Sequence, residues 1–190
     1  MPDVLRSDLR WYTDGSMKFG PTWELRRTGC AIVVVSEAGD LVAYGSAVPP
    51  PWIRTAAAAE LWAVMLVLSS TLSPPGIRTD CWSILAAAAD GAAKASQATR
   101  MLAQVWSRIE VLLDGDLTSL VTSGQLSWMP AHGTVASIGV ARRSDGLPIT
   151  AVDWRANRLA DAIAKTAVGH PPLCVQAQRL LKGGTVLGGT

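Results

Sequence analysis

Acidic residues are scarce in this chain, 15 in 190 positions, so each can be weighed against its neighbours. Four stand where a plain surface charge is not needed. Asp14 follows the apolar run "LRWYT" and is followed at once by Gly15 and Ser16. Glu60 lies in "AAAAELWAV", and its neighbours three and four positions away on a helix are Ala56, Ala57, Ala63 and Val64. An ionised carboxylate on such a face is costly unless something compensates it. Asp80 closes the short run "IRTD" ahead of a helical stretch, where a capping role is equally open to it. Asp161 shares a helix face with Asn157, Arg158 and Lys165, and by itself reads as solvated. Carboxylates do not crowd together without a cation, and oxygen-only ligands select hard Mg²⁺ or Mn²⁺. Two such ions about 3.5–4 Å apart clamp the attacking and leaving oxygens of a phosphodiester. If the fold brings these four together, the chemistry is that of a metal-dependent nuclease. Two other readings of Asp14 start from the same residues. Asp-Gly is a common turn pair, and the order Thr13-Asp14-Gly15 differs from the Asp-Thr-Gly of aspartic proteases, of which the chain has no second loop.

The elements that must position these groups follow from pattern. Strands are expected over 8–14, 29–36 and 40–48, the last two joined by the Glu37-Ala38-Gly39-Asp40 turn into an antiparallel hairpin. The prolines at 49–51 end the sheet, and a long apolar helix runs over 54–72 until "SPPG" breaks it. A short strand over 77–80 leads into the helix "WSILAAAADG", and apolar spacing over 99–115 predicts another. Strand-like "GQLSWMPAHG" follows, then an irregular segment with a turn at Ser144-Asp145-Gly146. The last helix covers 153–168, with Asp153 expected as its N-cap. Three strands followed by alternating helices and strands imply a mixed sheet with helices on its faces. In this arrangement Asp14 closes the first strand and Asp80 the fourth, so pairing of those strands, about 4.8 Å apart, would bring the two carboxylates together. Glu60 would reach them from one turn into the first helix.

Composition sets the bounds. The length fits one domain over residues 1–168, with a Gly- and Pro-punctuated tail or linker over 169–190. A formal charge of +2 does not by itself argue for nucleic acid, although 13 Arg against four Lys favours two-point contacts to phosphate. Three widely spaced cysteines (Cys30, Cys81, Cys174) offer neither a disulfide framework nor a zinc site and fit a reducing, intracellular compartment, nuclear or cytoplasmic. The N-terminus lacks a signal-peptide core, and the longest apolar stretch is shorter than the roughly 20 residues of a membrane span. A soluble monomer is the expectation.

Five motifs then occur in a characteristic order: "YTDGS" on a first strand, "AAELWAV" on a first helix, "TDCWSIL" at a strand end, "WMPAHG", and "NRLADAIAK" on a last helix. In order and context they resemble the type-1 ribonuclease H family, and most of all the ribonuclease H domains of non-LTR retrotransposons, over roughly residues 8–168. The resemblance implies a ribonuclease H-like α/β fold with a five-stranded mixed sheet, an antiparallel meander plus parallel strands, flanked by helices. It implies hydrolysis of the RNA strand of an RNA–DNA hybrid with two Mg²⁺ ions, Mn²⁺ being a substitute, leaving a 3′-hydroxyl and a 5′-phosphate. Asp14, Glu60, Asp80 and Asp161 match the family's four metal-binding carboxylates, and His132 the histidine that assists proton transfer or product departure. Gly15 and Ser16 would let the hybrid backbone come close, and Asn157 would support the last-helix motif. A reverse transcriptase domain in a longer polyprotein is an implied partner.

The chain also departs from that pattern. Relatives carry Asn or Gln beside the helix glutamate and just after the Thr-Asp pair, to contact the hybrid, where this chain has Ala56-Ala57 and Cys81-Trp82. Trp82 is expected in the core rather than stacked on a nucleotide. The connector over 90–100 carries only Lys94 and Arg100, so a basic protrusion is missing and affinity should be salt-sensitive or supplied by a neighbouring domain. Arg142 and Arg143 are either a phosphate grip or two solvated side chains, and Asp153 rivals Asp161 as the fourth ligand. These departures keep two alternatives open: a non-catalytic scaffold or tether of the same fold, and a nuclease acting on DNA.

Overall fold

The computed structural model describes residues 9–19, 25–131 and 133–169. Nine-residue β1 (Arg10–Lys18) and β2 (Arg27–Val35) pair antiparallel, and β2 continues antiparallel to β3 (Leu41–Ala47), with a bulge at Val34/Val35. The expected turn closes this hairpin, with Ser36 N–H donating to the Asp40 carbonyl at 2.9 Å. Helix α1 (Ala56–Ser70) starts at Thr55, whose hydroxyl accepts from Ala58 N–H at 3.1 Å, as an N-cap should. It crosses to β4 (Gly76–Thr79), which lies parallel beside β1. After α2 (Trp82–Asp90), α3 (Ala92–Ala95), α4 (Ala103–Leu112) and α5 (Ser119–Thr122), β5 (Leu126–Trp128) adds in parallel to β4. A 3₁₀ turn at Val135–Ser137 precedes α6 (Ala151–Ala167). The sheet order β3-β2-β1-β4-β5 is the mixed, five-stranded arrangement expected.

Helices cover both faces of β1 and β2, α1 on one and α6 on the other. Strand alternation divides the core accordingly. Trp11, Cys30, Val34 and Ile77 pack with the aliphatic residues of α1, α2 and α4, whereas Tyr12, Val33 and Val35 pack with Ala156 and Ala160 of α6. Alanines and two strand glycines let the helices come close. A Cβ on Gly15 would lie 2.2 Å from the Ala56 carbonyl oxygen and 2.4 Å from the Glu60 nitrogen; one on Gly29 would lie 2.7 Å from the Ala164 carbonyl oxygen.

Several boundaries differ from the sequence-based expectation for identifiable reasons. Asp14 does not close β1. The strand continues to Lys18 because β2 extends back to Arg27 and pairs with it throughout, so Asp14-Gly15 is extended backbone and not a turn. Asp153 is not the N-cap of α6. Thr150 takes that position, and Asp153 stands three residues in, its carboxylate accepting from Thr150 N–H at 2.8 Å in a reciprocal capping box. The short helices α3 and α5 lie in stretches too brief for a periodic signal. The proposed tail beyond residue 169 lies outside the described residues, as do Cys174 and His132. No described helix is long and apolar enough to cross a membrane.

Candidate metal centre

The parallel pairing of β4 with β1 ends at Thr13 opposite Thr79. The next residue on each chain is an aspartate, so Asp14 and Asp80 sit side by side where β4 gives way to α2. Glu60 comes from the second turn of α1, held against β1 by the tight seat at Gly15. Ligand atoms of Asp14, Glu60 and Asp80 all lie within 4.8 Å of one another, the only such acidic group among the described residues. Asp14 and Glu60 are 7% and 3% exposed, so two of the three carboxylates are withdrawn from water.

Each carboxylate is oriented by its neighbours. Thr79 points to the α1 side of the sheet, and its hydroxyl donates a short hydrogen bond to Glu60 Oε1. The same oxygen accepts from Asp80 N–H at 3.2 Å, while Thr79 Oγ1 accepts from Cys81 N–H at 3.1 Å. Asn157 of α6 donates through Nδ2 to Asp80 Oδ2 at 3.1 Å. Trp128 donates its indole N–H to the Asp80 carbonyl at 2.9 Å. The sequence reading did not single out Thr79 or Trp128. Strand alternation was the available signal for Thr79, since it must share a face with the buried Ile77 and so face α1.

The electrostatics are those of an uncompensated anionic site. Burial, then the Asp80 and Asp161 charges, push Asp14 up to about 7. Burial and Asp80 hold Glu60 well above the usual carboxylate range, against the opposing hydrogen bond from Thr79. Asp14 Oδ2 and Asn157 Oδ1 are buried with no hydrogen-bond partner. Buried oxygens are almost always satisfied, and open acceptors on Asp14 itself and on Asn157 suit a hard, oxygen-seeking cation.

The remaining sequence candidates fall in different places. Asp161 lies near enough to act on Asp14, but its carboxylate pairs with Lys165 at 2.7 Å and stands outside the three-residue group. Its rival Asp153 is excluded by its partners. It is fully buried, accepts from Tyr12 Oη at 2.6 Å, and pairs with Arg78 and, at 3.2 Å, with Arg143. Arg143 is thus neither a phosphate grip nor a solvated side chain: it is 7% exposed and bound to Asp145 as well. Gly15 turns toward α1, whose backbone fills the space a side chain would need, so its smallness serves helix packing. Ser16 is largely buried further along β1. Trp82, expected in the core, is 57% exposed. His132 lies outside the described residues; the carbonyl of its neighbour Gly133 accepts from the Trp154 indole of α6 at 2.7 Å.

No protein-family model and no curated protein matches this chain. Solved structures do. The chain is similar to the RNase H domain of PFV, with a TM-score of 0.56 and 17% identity over 85% of this chain and 94% of that one. It is similar to LC11-RNase H1, solved in complex with an RNA/DNA hybrid, with a TM-score of 0.51 and 14% identity over 85% of this chain and 96% of that one. The protease-reverse transcriptase of prototype foamy virus gives 0.56 and 15% identity over 86% of this chain, which spans only 21% of that protein's length. At such identities the likeness is one of architecture, and the chain has the ribonuclease H fold.

Proposed function

We propose that this protein is an endonuclease that hydrolyses the RNA strand of RNA–DNA hybrids, using two divalent cations, Mg²⁺ or in its place Mn²⁺. The observation that carries the reading is the convergence of Asp14, Glu60 and Asp80, with one Asp14 oxygen and the Asn157 amide oxygen buried without partners. The hybrid bound to one of the solved structures of this fold supports the choice of substrate. Asp14, Glu60 and Asp80 would hold the cations, and Asp161 would join them by giving up Lys165. Bound divalent ions supply an activated water and offset the charge that builds on the phosphate.

The chain's own residues do the rest. Thr79 and the Asp80 N–H fix one oxygen of Glu60, and Asn157 fixes one of Asp80, so the carboxylates present themselves without reorganising. Contacts to 2′-hydroxyls would distinguish the RNA strand. His132 would serve proton transfer or product departure. The motif order and the reverse transcriptases that carry this fold support a place in a retroelement polyprotein, of the non-LTR kind, next to a reverse transcriptase.

The test is cleavage of a labelled RNA–DNA hybrid at low salt with Mg²⁺ and then Mn²⁺, with single-stranded RNA and duplex DNA as controls. Hybrid cutting that leaves a 5′-phosphate is the expected result, and Asp80→Asn should lower it at least about a hundredfold, the scale on which removing a key electrostatic group acts. Failure of the folded wild-type protein to cut any hybrid would move the reading to a scaffold. Preferential cutting of duplex DNA would make it a DNA nuclease.

A further inference from the structure

Trp82 is the second residue after Asp80 and opens α2, with more than half of its surface in water. The part of the ring left in solvent could still bury apolar surface against a flat partner. Trp82 is also held still. Its ring meets that of Trp128 edge to face, with centroids 5.4 Å apart and planes at 89°. Trp128 is fixed in turn by its indole bond to the Asp80 carbonyl, by its backbone N–H donating to Ser144 Oγ at 2.9 Å, and by its pairing with Thr79. Both rings are therefore tied to the strand end that carries the metal-site aspartate.

An edge-to-face contact leaves at least one face of the Trp82 ring clear of Trp128, and the residue is 57% exposed. A cleft of about 320 Å³ begins at this ring and runs between α2 and β5, lined by Leu85, Ala89, Leu126, Ser127 and Ser144. Trp82 is thus joined through Trp128 to Asp80 of the candidate metal site, and exposed aromatic rings are what nucleic-acid grooves use to stack bases.

We propose that Trp82, buttressed by Trp128, is a stacking platform for a nucleotide adjoining the phosphodiester held at the carboxylates. This rests on the hybrid-nuclease reading above. Stacking accepts any base, so the platform contributes affinity without sequence preference.

Binding of a short fluorescein-labelled hybrid by the full chain tests this, in an Asp14→Asn background that prevents cleavage. Wild-type cleavage is measured alongside. Trp82→Ala and Trp82→Leu should each weaken binding roughly tenfold or more, the scale of losing one base–aromatic stack. Trp82→Phe should recover most of the loss. The slope of affinity against salt should stay the same, because no phosphate contact is removed, and Tm should fall by no more than a few degrees, for the lost contact with Trp128. Equal binding by Trp82→Ala and its parent, with wild type still cutting hybrid, overturns the platform and leaves the nuclease reading intact. A changed salt slope, or a Trp82→Leu variant as tight as the parent, also overturns it. A wild-type protein that neither binds nor cuts hybrid overturns both.

Discussion

Asp14 is where the free energy of folding and the proposed chemistry pull in opposite directions. Its carboxyl is pushed from 3.8 up to about 7 by burial and by the neighbouring acids. A group whose pKa is higher in the folded than in the unfolded state gives the folded state the extra proton affinity. Without metal, the contribution of Asp14 to stability is therefore greatest below about pH 4, falls as the pH rises toward about 7, and is level above that. Asp14→Asn, which keeps the shape and removes the charge, should raise Tm in EDTA at pH 8 by several degrees and leave it nearly unchanged at pH 4. The same variant should be inactive on hybrid. Thermal melts at the two pH values check the first outcome, and equal shifts at both would show that charge is not the cause.

At the scale of elements, the decisive contact is the seat of α1 on β1. Any side chain at Gly15 would run into the Ala56 carbonyl and the Glu60 nitrogen, both backbone atoms that have no rotamer to escape to. Gly15→Ala should lift α1 from the strand and take Glu60 away from Asp80. A loss of about 2–3 kcal/mol in urea unfolding is the expected cost of overpacking there. Cleavage should fall further than the fraction of unfolded protein accounts for. Activity that tracks the folded fraction would mean that Glu60 does not need this seat.

The whole molecule is joined across its α6 side by one buried ionic group. Asp153 on α6 takes hydrogen bonds or ion pairs from Tyr12 on β1, Arg78 on β4 and Arg143 in the loop before the helix. With Asp153 fully buried and Arg143 nearly so, removing the shared carboxylate leaves the two cations without it in a poorly solvated space. Asp153→Ala should cost about 3–5 kcal/mol, as breaking a buried pair does. Because the same helix carries Asn157 and Asp161, the variant should also loosen the metal site. Urea unfolding of the variant measures the first effect, and a loss under about 1 kcal/mol would place Asp153 among ordinary surface pairs.

Much of this was legible in the residues. Period-two and helical spacing located the strands and the main helices, and the turn chemistry gave the hairpin, because these signals are local. The convergence of Asp14, Glu60 and Asp80 could be anticipated once β1 and β4 were supposed to pair, since strand spacing then sets Asp14 beside Asp80 at the end of β4. What only the tertiary structure decided depended on partners distant in sequence. β1 runs past Asp14 because β2 is there to pair with it, and Gly15 is small because a helix backbone lies against it. Asp153 is a buried counter-ion because Arg78 and Arg143 meet on it, and Trp82 is exposed because α2 turns it outward against Trp128. A sequence states which groups a chain has and their local spacing. Whether a charge is compensated or a ring covered is set by contacts that form only when the elements pack.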